Sequence, residues 1–184
     1  MKSFMNNPAL IITLSASLAL GCSNPKRAEQ ENSTSINATR TDSLSENEVA
    51  QILGYHNTVR SDVNVGPLRW SDSLAKFADS WANTLAKTKC TLEHRSDSPY
   101  GENLYIGTAT HYGVVDAGKA WENEKQHYGG SKLTESNWYD SGHYTQMVWR
   151  NTREVGCAKS ICSGNMIVVC NYNPPGNYLG EMPY

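Results

Sequence analysis

The chain has 184 residues, of which 18% are charged, and its formal net charge is −2. A nearly neutral chain without basic runs lacks the positive footprint of a nucleic-acid-binding protein, so no nucleic-acid partner is expected. About 140 residues remain after two N-terminal segments that cannot form a core, and this is the size of a single domain.

Residues 1–21 are predicted to be a signal peptide. Lys2 precedes an apolar run at residues 9–20, which is too short to remain as a membrane span. The run ends at Gly21 and Cys22, and a small residue before a cysteine resembles a bacterial lipobox. We expect lipidation of Cys22, which would attach the protein to a membrane. The alternative is an ordinary signal peptide, cut near Gly21, that leaves Cys22 unmodified.

Residues 22–44 are predicted to be a disordered tether, because they combine low hydrophobicity with many serine, asparagine and threonine residues. Asn32 and Asn37 lie in glycosylation sequons, which matter only in a eukaryotic secretory pathway. An exported protein of this kind is extracellular or at the cell surface. If the source is bacterial, a lipidated Cys22 predicts an outer-membrane lipoprotein.

The folded domain is predicted to cover residues 45–184 and to begin with a helix. Ser45 and Glu48 form an S-x-x-E capping box. Apolar positions then recur at helical spacing, and His56 lies among them. We expect His56 to be a hydrogen-bonded core residue rather than a ligand of a functional site.

A second helix is predicted after Ser71 or Ser73, either of which can cap it. It carries a wide apolar face, which predicts burial between other layers. That face consists of Leu74, Phe77, Ala78, Trp81, Ala82 and Leu85.

A third helix is predicted over residues 114–128, before the glycine pair at 129–130. Glu124 shares one face of this helix with Trp121 and other apolar residues. Burial of an unpaired charge is costly, so Glu124 needs a partner or a place at the edge of a cleft. The alternative is a rotated helix with a solvated Glu124.

The C-terminal part predicts a β-hairpin with a turn at residues 163–164. Cys157 and Cys170 are each six positions from that turn, so they face each other and can form a disulfide. Cys162 then remains for Cys90. With Cys22 lipidated, the five cysteines are all accounted for.

Four segments, in this order, resemble motifs of the CAP superfamily, which comprises cysteine-rich secretory proteins, antigen 5 and pathogenesis-related class 1 proteins. They read H-N-T-V-R at 56–60, G-E-N-L-Y at 101–105, G-H-Y-T-Q-M-V-W-R at 142–150 and C-N-Y-N-P-P-G-N-Y at 170–178. The plant pathogenesis-related class 1 type looks closest. The resemblance implies an α+β fold, an α-β-α sandwich with a central antiparallel sheet between helical layers. It also implies the same two disulfides.

The resemblance further implies a cleft formed by His94, His143, Glu102 and Glu124. Such a set can bind Zn²⁺ or another divalent cation. The sequence contains neither the H-E-x-x-H nor the C-x-x-C metal-binding motif, so the metal prediction rests on the resemblance.

The favoured function is a non-enzymatic binding module for a small apolar ligand, a sterol or a fatty acid, or for a partner protein. No G-x-S-x-G nucleophile motif is present. Two alternatives stay open. One is a zinc-dependent, peptidase-like hydrolase that uses the same cleft. The other is a defence or signalling protein, because residues 174–184 resemble a plant tail that is released as a peptide.

Overall fold

The computed structural model of the protein describes residues 43–184. The predicted signal peptide, the lipidation of Cys22, the two sequons and the tether up to residue 42 lie outside the described residues. Leu44, near the end of the predicted tether, is partly buried and packs against the core. Within the described range, no helix is long and apolar enough to cross a membrane.

Five α-helices and four strands make up the described chain. The helices are α1 (Glu46–Ser61), α2 (Asp72–Thr88), α3 (Val114–Asn123), α4 (Glu135–Trp138) and α5 (Gly142–Met147). The strands are β1 (Arg69–Trp70), β2 (Gly101–Thr108), β3 (Glu154–Cys162) and β4 (Asn165–Asn173).

The strands form one sheet in the order β1-β3-β4-β2. The strands β2, β4 and β3 are antiparallel neighbours, and the two-residue β1 pairs with β3 in parallel. α2 packs on one face of the sheet, whereas α1, α3 and α5 lie on the other. The predicted α-β-α sandwich with an antiparallel sheet between helical layers is therefore confirmed.

The core lies on both sides of β4. Its side chains alternate between the two faces, as in any strand. Val168 and Tyr172 pack in the cluster beneath α1 and α3, whereas Ile167 and Val169 pack beneath α2. All four are fully buried. An antiparallel strand usually alternates apolar and polar residues, but β4 is apolar on both faces because helices cover both.

The predicted helix starts are present. Ser45 caps α1, and its side chain and that of Glu48 bond reciprocally to the main chain of the first turn. Ser71, rather than Ser73, caps α2 by accepting a hydrogen bond from the Leu74 N–H. His56 on α1 is fully buried and hydrogen-bonded, as expected of a core residue.

The hairpin also has the predicted register. Ser163 and Gly164 both adopt positive φ and form the turn between β3 and β4. Cys157 faces Cys170 across the hairpin, and the two are joined by a disulfide. The second disulfide joins Cys90, just beyond α2, to Cys162 at the end of β3.

The prediction of one continuous helix to residue 128 is wrong in its last turn. α3 ends at Asn123, and a short 3-10 helix, Glu124–His127, follows. At this junction the N–H of Glu124 bonds to the Trp121 carbonyl in the tighter 3-10 pattern. The Glu124 side chain bonds to the first turn of α5.

Arg60, at the end of α1, is fully buried, and no carboxylate within residues 43–184 pairs with it. Its guanidinium donates to four main-chain carbonyls, those of Gly66 (2.7 Å), Met147 (2.8 Å), Trp149 (3.0 Å) and Thr152 (3.2 Å). Burial lowers the pKa of Arg60 to about 10, so it stays charged at neutral pH. A positive charge at the C-terminal end of α5 is favourable for the helix dipole.

Candidate functional site

Two cavities that share part of their lining open beside the start of β2. Their volumes are about 690 Å³ and about 440 Å³. His94, Glu102 and Asn177 line both, together with the aromatic pair Trp138 and Tyr139 at the end of α4. His143 and Asn103 line only the smaller cavity. Three of the four predicted site residues, His94, Glu102 and His143, therefore line the smaller cavity. The fourth, Glu124, contacts His143.

His94 lies in the loop between α2 and β2, and Glu102 is the second residue of β2. The Nδ1 atom of His94 lies 2.8 Å from Oε1 of Glu102. The main-chain N–H of Arg95 donates to the same oxygen at 3.1 Å. The Glu102 side chain is only 6% exposed, whereas that of His94 is 63% exposed. The buried glutamate therefore holds one nitrogen of an imidazole ring that is otherwise accessible to solvent.

His143, in the first turn of α5, makes the second pair. Its Nδ1 atom lies 2.6 Å from Oε1 of Glu124. The other oxygen of Glu124 accepts from the main-chain N–H groups of His143 (2.8 Å) and Tyr144 (3.3 Å). A carboxylate at the N-terminus of α5 is favourable for the helix dipole. Trp121 stacks on the His143 ring with centroids 6.3 Å apart. Glu124, which directly follows α3, thus has the partner that the sequence predicted for it, and the solvated alternative is wrong.

The two pairs share one chemical arrangement. In each, Nδ1 faces a carboxylate, and among the described residues Nε2 has no hydrogen-bond partner. A carboxylate on one ring nitrogen favours the tautomer whose other nitrogen can bind a metal. The donor types therefore fit Zn²⁺. However, residues 43–184 contain no group of three or more His, Cys, Asp or Glu side chains placed to hold a metal ion. The remaining positions on a cation would have to come from water or from a bound molecule.

A comparison with protein families identifies the chain. Residues 53–172 match the sequence model of CAP, described as the cysteine-rich secretory protein family. The chain belongs to the CAP family. Pathogenesis-related protein 1A of Nicotiana tabacum is 45% identical over 140 residues, which cover 76% of this chain and 82% of that protein. Pathogenesis-related protein 1 of Arabidopsis thaliana is 46% identical over 130 residues, covering 70% and 78%. The predicted likeness to the plant class 1 type is confirmed.

Solved CAP structures have the same fold. The crystal structure of NaASP2 with Zn²⁺ superposes with a TM-score of 0.69 at 28% identity, and covers 77% of this chain and 87% of that one. BmVAL-1 gives a TM-score of 0.67 at 26% identity, and the matched part is 77% of this chain and 83% of that one. The sandwich is therefore the common CAP fold.

Asn177 is a cleft residue that the sequence did not single out. Its side chain donates to the Gly142 carbonyl (2.7 Å) and accepts from the Thr145 hydroxyl (2.7 Å). It ties the C-terminal tail to α5 beside His143. Its φ of 61° is left-handed, a conformation that asparagine tolerates better than most residues. The P-P-G-N sequence before the end of the tail was the one available signal.

Gln146 in the same helix is part of the scaffold. It is 2% exposed, and the Oε1 atom of its side chain accepts a hydrogen bond from the Gly176 N–H at 2.9 Å. A Cβ added at Gly101 would lie 2.1 Å from that oxygen. The glycine of the G-E-N motif is therefore required by close approach of α5, rather than by the chemistry of the cleft.

The C-terminal tail is held by main-chain hydrogen bonds and by its last residue, although residues 178–182 are exposed. The Gly180 N–H donates to the Leu133 carbonyl at 2.8 Å, and the Leu133 N–H donates to the Glu181 carbonyl at 2.9 Å. The Pro183 carbonyl accepts from the Arg150 N–H at 2.7 Å. The ring of Tyr184 packs against two buried tyrosines, Tyr128 and Tyr144. Release of the tail as a peptide would break these contacts.

Proposed function

We propose that this CAP protein is an exported, non-enzymatic binding protein whose cleft takes a small apolar ligand, such as a sterol or a fatty acid. The larger cavity carries this proposal, because its volume of about 690 Å³ suits small-molecule sites. Trp138, Tyr139 and Leu179 give it apolar walls and are 44%, 83% and 54% exposed. Large apolar side chains left accessible at a cleft favour binding of an apolar partner. A partner protein is the other occupant that this surface would accept.

We further propose a divalent cation, Zn²⁺ in the first place, in the smaller cavity. The Nε2 atoms of His94 and His143 would hold it, with Glu102 and Glu124 fixing the two rings. A bound cation would supply positive charge for the polar head of an apolar ligand, such as the carboxylate of a fatty acid. The zinc-containing crystal structure of NaASP2, a relative with the same fold, supports this choice of metal.

A zinc-dependent hydrolase remains the alternative use of this cleft. Catalytic zinc sites usually have three protein ligands and an open position. The described residues supply no convergent set of three, and all four cysteines within them are in disulfides. Binding without catalysis therefore has the stronger support. The main-chain bonds that hold the tail give no specific support to the alternative of a released signalling peptide.

Export is supported by the description of the family as secretory. Two disulfides agree with an oxidising compartment. Lipidation of Cys22 would keep the exported protein at a cell surface, which is the outer membrane if the source is bacterial. Mass spectrometry of the mature N-terminus tests this, and an unmodified Cys22 would refute the anchor.

The proposed function is tested on the full-length protein with cholesterol, palmitate and Zn²⁺ as separate ligands. Three variants are compared with the wild type. Trp138→Ala combined with Tyr139→Ala alters the cleft wall, and His94→Ala combined with His143→Ala removes the imidazoles. His111→Ala, an exposed histidine outside the cleft, is the matched control.

We expect the aromatic variant to lose binding of the apolar ligand and the histidine variant to lose Zn²⁺ binding. The control should keep both. Unchanged binding of cholesterol and palmitate in the aromatic variant would refute the apolar cleft. Peptide hydrolysis that needs Zn²⁺ and disappears in the histidine variant would replace binding by the hydrolase.

A further inference from the structure

Behind the smaller cavity, four elements are joined by a chain of buried polar groups. His56 on α1 accepts from or donates to the hydroxyl of Tyr172 on β4, with Nε2 and the oxygen 2.8 Å apart. The Nδ2 atom of Asn103 on β2 lies 3.1 Å from the same hydroxyl and 3.0 Å from the His143 carbonyl on α5. His56, Tyr172 and Asn103 are only 0–1% exposed. This set, His56–Tyr172–Asn103, is called the buried relay below.

The hydrogens of the buried relay can be assigned in one direction. Nδ1 of His56 lies 2.8 Å from the Ile52 carbonyl, which can only accept, so Nδ1 carries the proton. Nε2 of the neutral ring must then accept, and the Tyr172 hydroxyl donates to it. The Tyr172 oxygen accepts from one N–H of Asn103, and the second N–H donates to His143. Every donor in the relay therefore has an acceptor, and the relay ends at the cleft histidine.

Glu102 and Asn103 are consecutive on β2, so their side chains point to opposite sides of the strand. Glu102 holds the ring of His94, as its 2.8 Å contact shows. Asn103 holds the main chain of His143. Two neighbouring residues of one strand thus connect two histidines that are 49 positions apart in the sequence.

We propose that Asn103, held in place by Tyr172 and His56, is a positioning residue that sets His143 relative to His94 in the cleft. The inference rests on the proposed function, because it concerns the same two histidines. Asn103 acts on the segment that carries His143 and does not itself bind the ligand. The buried relay also explains why four motifs occur together in this chain. H-N, G-E-N and C-N-Y supply its three members, and G-H supplies His143, to which it leads.

The test uses the full-length protein, without Zn²⁺ and then with it. Tyr172→Phe removes only the hydroxyl, and Asn103→Leu removes both N–H groups while keeping the same branching of heavy atoms. The matched control is Asn83→Leu, a buried asparagine on α2 that bonds to the Asp79 carbonyl and Ser160, away from the cleft. Nitrogen chemical shifts of the two imidazoles are recorded by NMR, Zn²⁺ affinity by calorimetry, and stability by urea unfolding.

We expect both relay variants to change the ring-nitrogen shifts of His143, and to weaken Zn²⁺ binding by roughly 10–100-fold, as loss of an outer-shell partner does. Asn83→Leu should lose stability and leave both readouts unchanged. Unchanged His143 shifts in both relay variants would overturn the proposal. If Asn103→Leu does not fold, Tyr172→Phe decides. If the wild type binds no Zn²⁺, the metal part of the proposed function fails, whereas the ring shifts of the metal-free protein still decide the relay.

Discussion

His56 should make the stability of the protein depend on pH above pH 5. Burial, with a smaller contribution from the charge of Arg60, lowers the pKa of His56 from 6.5 to about 4, although the bond to the Ile52 carbonyl opposes this. In the unfolded chain the imidazole takes up a proton near its ordinary pKa. In the folded protein it stays neutral until about pH 4. The unfolded state therefore binds more protons between these values, so stability falls as pH falls.

The size of the effect follows from the two pKa values. One pH unit corresponds to about 1.4 kcal/mol, so the whole interval from 6.5 to about 4 corresponds to about 3 kcal/mol. About 2 kcal/mol of this should be lost between pH 6.5 and 5. The pH range from 6.5 to 5 lies above the titration of carboxylates such as Asp116. The hydrogen bond from the Gly113 N–H lowers the pKa of Asp116.

The assay is urea unfolding of the wild type and of His56→Gln at several pH values from 7 to 5. Glutamine does not titrate, and its carbonyl can still accept from the Tyr172 hydroxyl. We expect the variant to be less stable at pH 7, and the gap to the wild type to shrink by about 2 kcal/mol at pH 5. Parallel pH profiles of the two proteins would refute the assignment of a neutral, buried His56.

Three further predictions concern stability, each measured by chemical denaturation. In Gly156→Ala the new Cβ would lie 2.2 Å from the main-chain nitrogen of Ala75, so we expect a loss of more than about 3 kcal/mol or failure to fold. An unchanged midpoint would contradict that contact. Arg60→Met leaves four buried carbonyls without their donor and should cost at least about 3 kcal/mol. A loss below about 1 kcal/mol would show that other donors replace it. Replacing Cys90 and Cys162 together by serine opens a loop of 72 residues and should cost about 4 kcal/mol while the fold is retained.

Much of the fold could be predicted because its signals are local. The capping box at Ser45 and Glu48 needs only four residues. The pairing of Cys157 with Cys170 follows from their equal distance from a turn. The end of α3 could not be predicted in this way. Helical periodicity continues through residue 128, and nothing in it shows that Glu124 is used to cap a different helix.

The candidate site is the opposite case. Its four residues lie in four separate segments, so no spacing rule connects them, and only the family resemblance placed them together. Asn103 and Asn177 were missed for a physical reason. Each acts through hydrogen bonds to main-chain atoms of α5, and the geometry of such bonds depends on the tertiary fold rather than on neighbouring residues.

The helix α5 has only six residues, far fewer than an isolated helix needs in water. Glu124 accepts from its first N–H groups, and Arg60 donates to the carbonyls of Met147 at its end and Trp149 just beyond it. The G-H-Y-T-Q segment by which the family is recognised therefore does not form its helix outside the complete fold. A synthetic peptide of residues 141–158 would be unstructured, and so would the same segment grafted onto a scaffold without these two clamps. His143 gains its orientation from the complete sandwich, so a partly folded chain offers no partial cleft.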